Sequence, residues 1–127
     1  MRPTAPQVGA YASRMSDDCL FCSIIAGDIP ADTVLEDDHV VAFRDIAPKA
    51  ETHVLVVPRT HAPNVAAIAA AAPHELAAMA AAAQQIADRE CGGEYKWIFN
   101  TGASVGQTVF HAHGHVLGGS GLDGSLV

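Results

Sequence analysis

His111-Ala112-His113-Gly114-His115-Val116-Leu117, near the C-terminal end of a 127-residue chain, is the stretch on which the fold and the chemistry turn. Read as an extended strand, it alternates side chains between two faces. His111, His113 and His115 then share one face at steps of roughly 6.6 Å. Histidine is a poor core residue, and it can act as nucleophile, proton carrier or metal ligand near neutral pH. A row satisfied by polar neighbours is the ordinary fate of a single histidine but a poor account of three in alternation. A metal site is a second reading, because His-x-His on a strand is a natural bidentate pair and neutral imidazole suits zinc. The third is a phosphate site, where one imidazole attacks phosphorus while its neighbours bind oxygens or protonate the leaving group.

The segment just upstream favours phosphate. Asn100-Thr101-Gly102-Ala103-Ser104-Val105-Gly106-Gln107-Thr108 is a glycine-containing loop leading into the histidines. It is expected to offer backbone amides at Gly106 and Gln107 and the Thr108 hydroxyl, since glycine permits the close approach an anion pocket needs.

Further out, the chain reads as alternating short elements. Residues 19–26 form a short helix with Leu20, Phe21, Ile24 and Ile25 as its apolar contribution, stopped by Gly27 and Pro30. Thr33-Val34-Leu35-Glu36, residues 39–44 and His53-Val54-Leu55-Val56-Val57 are strand candidates, rich in β-branched and aromatic side chains. Pro73 sits well as the first residue of a helix, and Leu76, Met79, Ala83, Ile86 and Ala87 recur at helical spacing as far as Arg89. Alanines between Ala66 and Ala83 favour helix and a close-packed surface. Residues 95–100 give another strand. The expected fold is α+β: about five strands in a mainly antiparallel sheet, one main helix and a short N-terminal helix.

Composition excludes several classes. A net charge of −7 with only seven scattered Lys and Arg argues against a nucleic-acid partner. No run of about 20 apolar residues is present to span a membrane. Residues 1–16 lack an apolar signal core and read as a disordered tail, with Met15 as an alternative start. Three cysteines without a secretory signal fit a reducing compartment, and the expected location is cytoplasmic.

These residues resemble the histidine triad (HIT) superfamily of nucleotide hydrolases and transferases. His111-Ala112-His113-Gly114-His115-Val116-Leu117 is similar to its His-φ-His-φ-His-φ-φ signature. The resemblance runs from about Cys19 to Gly119 and takes in Ile29-Pro30, Ala42-Phe43-Arg44-Asp45-Ile46, Thr52-His53-Val54-Leu55-Val56-Val57-Pro58 and Gly106-Gln107-Thr108. The closing Leu117-Gly118-Gly119 looks like the Hint branch, whose members cleave purine nucleoside phosphoramidates. A HIT domain is thus expected over residues 17–119, with a purine nucleotide substrate or AMP or GMP product, and a homodimer. The resemblance implies that His113 attacks the α-phosphorus, flanked by His111 and His115, with His53 supporting the nucleophile's tautomer. Thr108, Asn100, Gly106 and Gln107 match positions around the phosphate, and Asp45 matches the ribose-binding acid. Phe21, Ile24, Phe43 and Leu55 match the slot for the base. A dinucleoside polyphosphate hydrolase and a non-catalytic nucleotide-binding module remain alternatives.

Cys19-x-x-Cys22 is a second constellation, open to a redox pair, half a metal site or two buried thiols. Bacterial HIT proteins that resemble this chain join such a pair to two histidines around structural zinc, here matching His61 and His111. Catalysis itself would need no metal. His39 and His74 match no motif and are expected to be surface residues, and Cys91 a free or buried thiol. Gly114 stands where the family prefers a bulkier apolar residue. Residues 120–127 diverge from the Hint tail, with neither its basic residue nor its Trp-Pro-Pro-Gly.

Overall fold

Four β-prone runs and the end of the histidine stretch pair into one sheet in the computed structural model, which describes residues 19–122. The strands are β1 (Thr33–Glu36), β2 (Val40–Arg44), β3 (Thr52–Pro58), β4 (Lys96–Ile98) and β5 (Gly114–Gly118). Their order is β1-β2-β3-β5-β4, and every neighbouring pair is antiparallel. β3 is the central strand and is buried from end to end, which is why Val54 to Pro58 run apolar without alternation.

The two faces carry different chemistry. Val40, Ala42, Val54, Val56 and Val116 pack against Met79, Ala82, Ala83 and Ile86 of the long helix and make the main core. On the opposite face Val41, Phe43, Leu55 and Val57 pack with Cys19 and Phe21. A register row of Phe43, Leu55, His115 and Ile98 runs across that second face.

Three helices accompany the sheet: α1 (Leu20–Ala26), α2 (Val65–Ala71) and α3 (Pro73–Glu90). The alanine-rich run is two helices, divided at Ala72 and Pro73. Proline lacks the N–H that a continuing helix requires, yet its fixed φ suits a first turn. Asn64 starts α2, its side chain accepting the Ala67 N–H at 2.9 Å. Gly27, at φ 85°, ends α1 in the left-handed conformation that favours glycine.

One expectation is corrected. His111, Ala112 and His113 are not part of the strand, which begins at Gly114. The Ala112 N–H donates to the Ala62 carbonyl at 2.8 Å, tying this segment to the β3–α2 connection instead of to a sheet neighbour. The three histidines therefore do not form one regular row. The expectations for residues 1–16 and Met15 lie outside the described residues. Of the 120–127 stretch, Ser120 is fixed by Glu51, which accepts its N–H at 2.7 Å and its hydroxyl at 2.8 Å.

Candidate active site and metal centre

His53, His111 and His113 are each oriented by a backbone group that can only donate or only accept, and this assigns their ring protons. His113 Nδ1 lies 2.8 Å from the His111 carbonyl oxygen. A carbonyl only accepts, so Nδ1 carries the hydrogen and Nε2 keeps its lone pair. His53 Nδ1 accepts the Lys49 N–H at 3.0 Å, so the neutral ring bears its hydrogen on Nε2. That nitrogen is 2.9 Å from His115 Nδ1 and 3.4 Å from Asp45 Oδ2. Donation from His53 to His115 leaves the His115 hydrogen on Nε2. The result is a lone pair on His113 beside an N–H on His115, with ring centroids 5.1 Å apart.

Burial holds these rings neutral. Desolvation pushes His115 down to about 4, helped by His113 and His53, and also lowers His113 and His53. Asp45 opposes the shift in all three.

His113 and His115 open into a cavity of about 480 Å³, within the range of small-ligand pockets. Phe21, Ile24, Phe43 and Leu55 line it, together with Asp45, Gly106 and Thr108. Phe21 meets His113 edge-on at 4.9 Å and Phe43 at 5.4 Å, making an apolar wall beside the imidazoles. Asp32, Arg44 and Ile46 also line the cavity. Arg44 ends β2, and Asp32 and Ile46 flank β1 and β2, where no residue pattern marks a ligand contact.

The glycine loop is arranged differently from expectation. The Gly106 N–H donates to the Ala103 carbonyl and the Gln107 N–H to the Gly102 carbonyl, each at 3.1 Å, so both amides are engaged within the loop. The Gln107 side chain is buried. Its Oε1 accepts the Gly102 N–H at 2.9 Å, and its Nε2 donates to the Pro63 and Val109 carbonyls at 2.6 and 3.0 Å. Gln107 braces the loop, leaving Gly106 and Thr108 at the cavity wall. Asn100 lies behind them, its Nδ2 3.9 Å from where a Cβ on Gly106 would sit. Asp45 lines the cavity and also shapes a turn, its Oδ1 accepting the Ala47 N–H at 2.8 Å.

His111 is fully buried and faces the other way. Its Nε2 donates to the Pro58 carbonyl at 2.8 Å, which frees Nδ1. That lone pair sits 3.4 Å from Cys19 Sγ, 3.4 Å from Cys22 Sγ and 3.2 Å from His61 Nδ1. Cys22 Sγ and His61 Nδ1 are 3.3 Å apart. A tetrahedral zinc with bonds of about 2.0–2.3 Å holds its ligand atoms roughly 3.3–3.7 Å from one another. The donor set fits zinc in identity, number and spacing. Cys19 also caps α1, its Sγ accepting the Cys22 N–H at 3.3 Å. Burial drives His111 down to about 4 and lowers His61, which keeps both lone pairs available.

The sequence reading overlooked Glu75, which is buried at the first turn of α3. It accepts the Thr60 N–H at 2.9 Å and the Thr60 hydroxyl at 2.7 Å, fixing the residue before His61. A lone acid near a helix start usually reads as a surface residue, so no local signal marks it.

A family model for the HIT domain matches residues 26–122. The chain belongs to the HIT family. It is 42% identical over 110 residues to the purine nucleoside phosphoramidase of Escherichia coli strain K12, covering 85% of this chain and 92% of that one. A solved HIT family hydrolase from Clostridium thermocellum superposes with a TM-score of 0.81 at 36% identity, covering 87% of this chain and 98% of that one. A zinc-bound histidine triad family protein from Mycobacterium smegmatis superposes at 0.71 with 38% identity, covering 84% and 78%. No helix among the described residues is long and apolar enough to cross a membrane.

Proposed function

We propose that this HIT protein is a nucleotide hydrolase that cleaves the P–N bond of purine nucleoside 5′-phosphoramidates through a nucleotidyl-His113 intermediate. The observation that carries the reading is the contact of His113 Nδ1 with the His111 carbonyl at 2.8 Å, beside His115 held by His53 at 2.9 Å on the same cavity wall, which favours a lone pair on His113 Nε2 next to an N–H on His115. The relative from Escherichia coli, a purine nucleoside phosphoramidase, supports the substrate class.

The base lies in the slot made by Phe21, Ile24, Phe43 and Leu55, and the ribose faces Asp45. Its phosphate comes to rest against His113, His115 and Thr108. An anion placed there raises the proton affinity of the buried His53–His115 pair, so substrate brings in the proton the reaction needs. His113 Nε2 attacks phosphorus as the P–N bond breaks, and the leaving nitrogen takes that proton and departs as an amine. Water then attacks phosphorus, and the P–Nε2 bond breaks with its electron pair returning to His113. The water's hydroxyl stays on phosphorus as the nucleoside monophosphate, and its proton replaces the one lost with the amine.

Cys19, Cys22, His61 and His111 would hold a structural zinc ion. Bound metal would supply a crosslink between α1, the loop after β3 and the segment carrying His113. No chemical step passes through it. A homodimer in the cytoplasm completes the reading.

Wild type and His113→Ala are assayed side by side on an adenosine 5′-phosphoramidate. Turnover is expected to fall at least a thousandfold in the variant. Quenched wild-type reactions are expected to carry a covalent adduct of AMP mass. Unchanged turnover, or no adduct together with AMP binding alone, sinks the mechanism. Comparing kcat/KM with a diadenosine polyphosphate separates the two hydrolase readings.

A further inference from the structure

His39 and His74 match no motif, yet the fold brings them together beside Glu75. His39 precedes β2, while His74 and Glu75 lie in the first turn of α3. The imidazoles meet edge to face, with centroids 5.3 Å apart and planes at 83°. His74 Nε2 is 4.0 Å from Glu75 Oε2. One ligand atom from each of the three residues lies within 4.8 Å of the others.

The backbone around this group is already fixed. Asp37 Oδ1 accepts the N–H groups of His39 and Val40, each at 2.8 Å. The His39 carbonyl accepts the Arg59 N–H at 3.1 Å, and Arg59 Nε donates to the Asp37 carbonyl at 2.8 Å. Glu75 is buried and held by Thr60, so its carboxylate is aimed before any ligand arrives. Its negative charge also offsets the helix N-terminus, which would otherwise repel a cation.

We propose that His39, His74 and Glu75 form a second metal site, separate from the Cys19–Cys22–His61–His111 cluster, for a divalent d-block cation such as zinc or nickel. Two imidazoles and one carboxylate are a donor set these ions favour over magnesium or calcium. Three protein ligands with both histidines exposed leave coordination positions to water, so the ion exchanges readily. The site also touches the inner cluster through one residue: Glu75 grips Thr60, whose neighbour is His61. The inference goes beyond the hydrolase reading and does not depend on it.

The test uses the full chain with its inner cluster zinc-loaded, titrated with nickel chloride while histidine ring resonances are followed by NMR. One further equivalent is expected to bind, broadening His39 and His74 first. His39→Gln and His74→Gln are each expected to weaken nickel binding at least tenfold while phosphoramidate turnover stays within twofold. Both residues are exposed, and an unchanged melting temperature confirms that the variants fold. The Asp45, His53 and His115 group also offers three ligand atoms within 4.8 Å. If His53 and His115 broaden first, or both variants bind nickel as wild type does, the proposal is overturned.

Discussion

At the scale of single residues, Gly114 is explained by what covers it. A Cβ on Gly114 would collide with Trp97 Nε1, and would come within 2.7 Å of Phe99. Trp97 and Phe99 stack edge to face at 4.7 Å, so their rings fill the space a larger residue would occupy. Gly114→Val is therefore expected to destabilise by about 1–3 kcal/mol through overpacking. The same substitution in a Trp97→Leu background is expected to cost less, because the smaller side chain yields the space. Urea midpoints of the single and double variants check this, and equal costs in both backgrounds would exclude the steric account. The sequence marked Gly114 as unusual without indicating the filler, since the Trp97 register on β4 is a long-range fact. The ring protons were equally hidden. They depend on the Lys49 N–H and the carbonyls of His111 and Pro58, backbone groups whose direction no residue type announces.

At the scale of elements, local pattern was legible wherever it met a physical stop. Pro73 fixed the start of α3, Gly27 ended α1, and the apolar run at β3 marked a strand buried on both faces. The histidine stretch misled because period-two alternation normally means strand, whereas Ala112 bonds to Ala62 and the chain reaches the sheet only at Gly114. That turn separates the jobs: His111 faces the cysteines and His113 the cavity. α1 is only seven residues long, and Cys19 and Cys22 at its start reach His61 and His111. Removing zinc with a chelator is expected to lower the melting temperature. The loss would be about 4 kcal/mol if free metal stands a thousandfold above its dissociation constant. Because the His111 carbonyl orients His113, turnover is expected to fall as well. Cys22→Ala should reproduce both effects and lose zinc by metal analysis. A chelated protein that melts and turns over like the untreated one would rule out the crosslink.

At the scale of the whole molecule, placing several neutral imidazoles behind one sheet face makes folding depend on pH. Burial lowers His115 from an ordinary 6.5 to about 4 and lowers His53 in the same direction. In the unfolded chain both rings return to ordinary values, so between about pH 6.5 and 4 the unfolded state binds more protons. Stability from these groups is thus complete above about 6.5 and declines as pH falls toward 4. His115, which must take a proton on unfolding, contributes a slope of up to about 1.4 kcal/mol per pH unit within that window. If the proposed zinc is bound, its release in acid would add to the decline, because His61 and His111 would protonate once freed. His115→Asn separates the two causes: it keeps all four metal ligands and removes one buried imidazole. Urea midpoints at pH 7.5, 5.5 and 4.5 are expected to fall less steeply in His115→Asn than in wild type. Parallel curves would mean that metal release alone sets the acid limit, and that the buried pair beside the cavity titrates as it does in the unfolded chain.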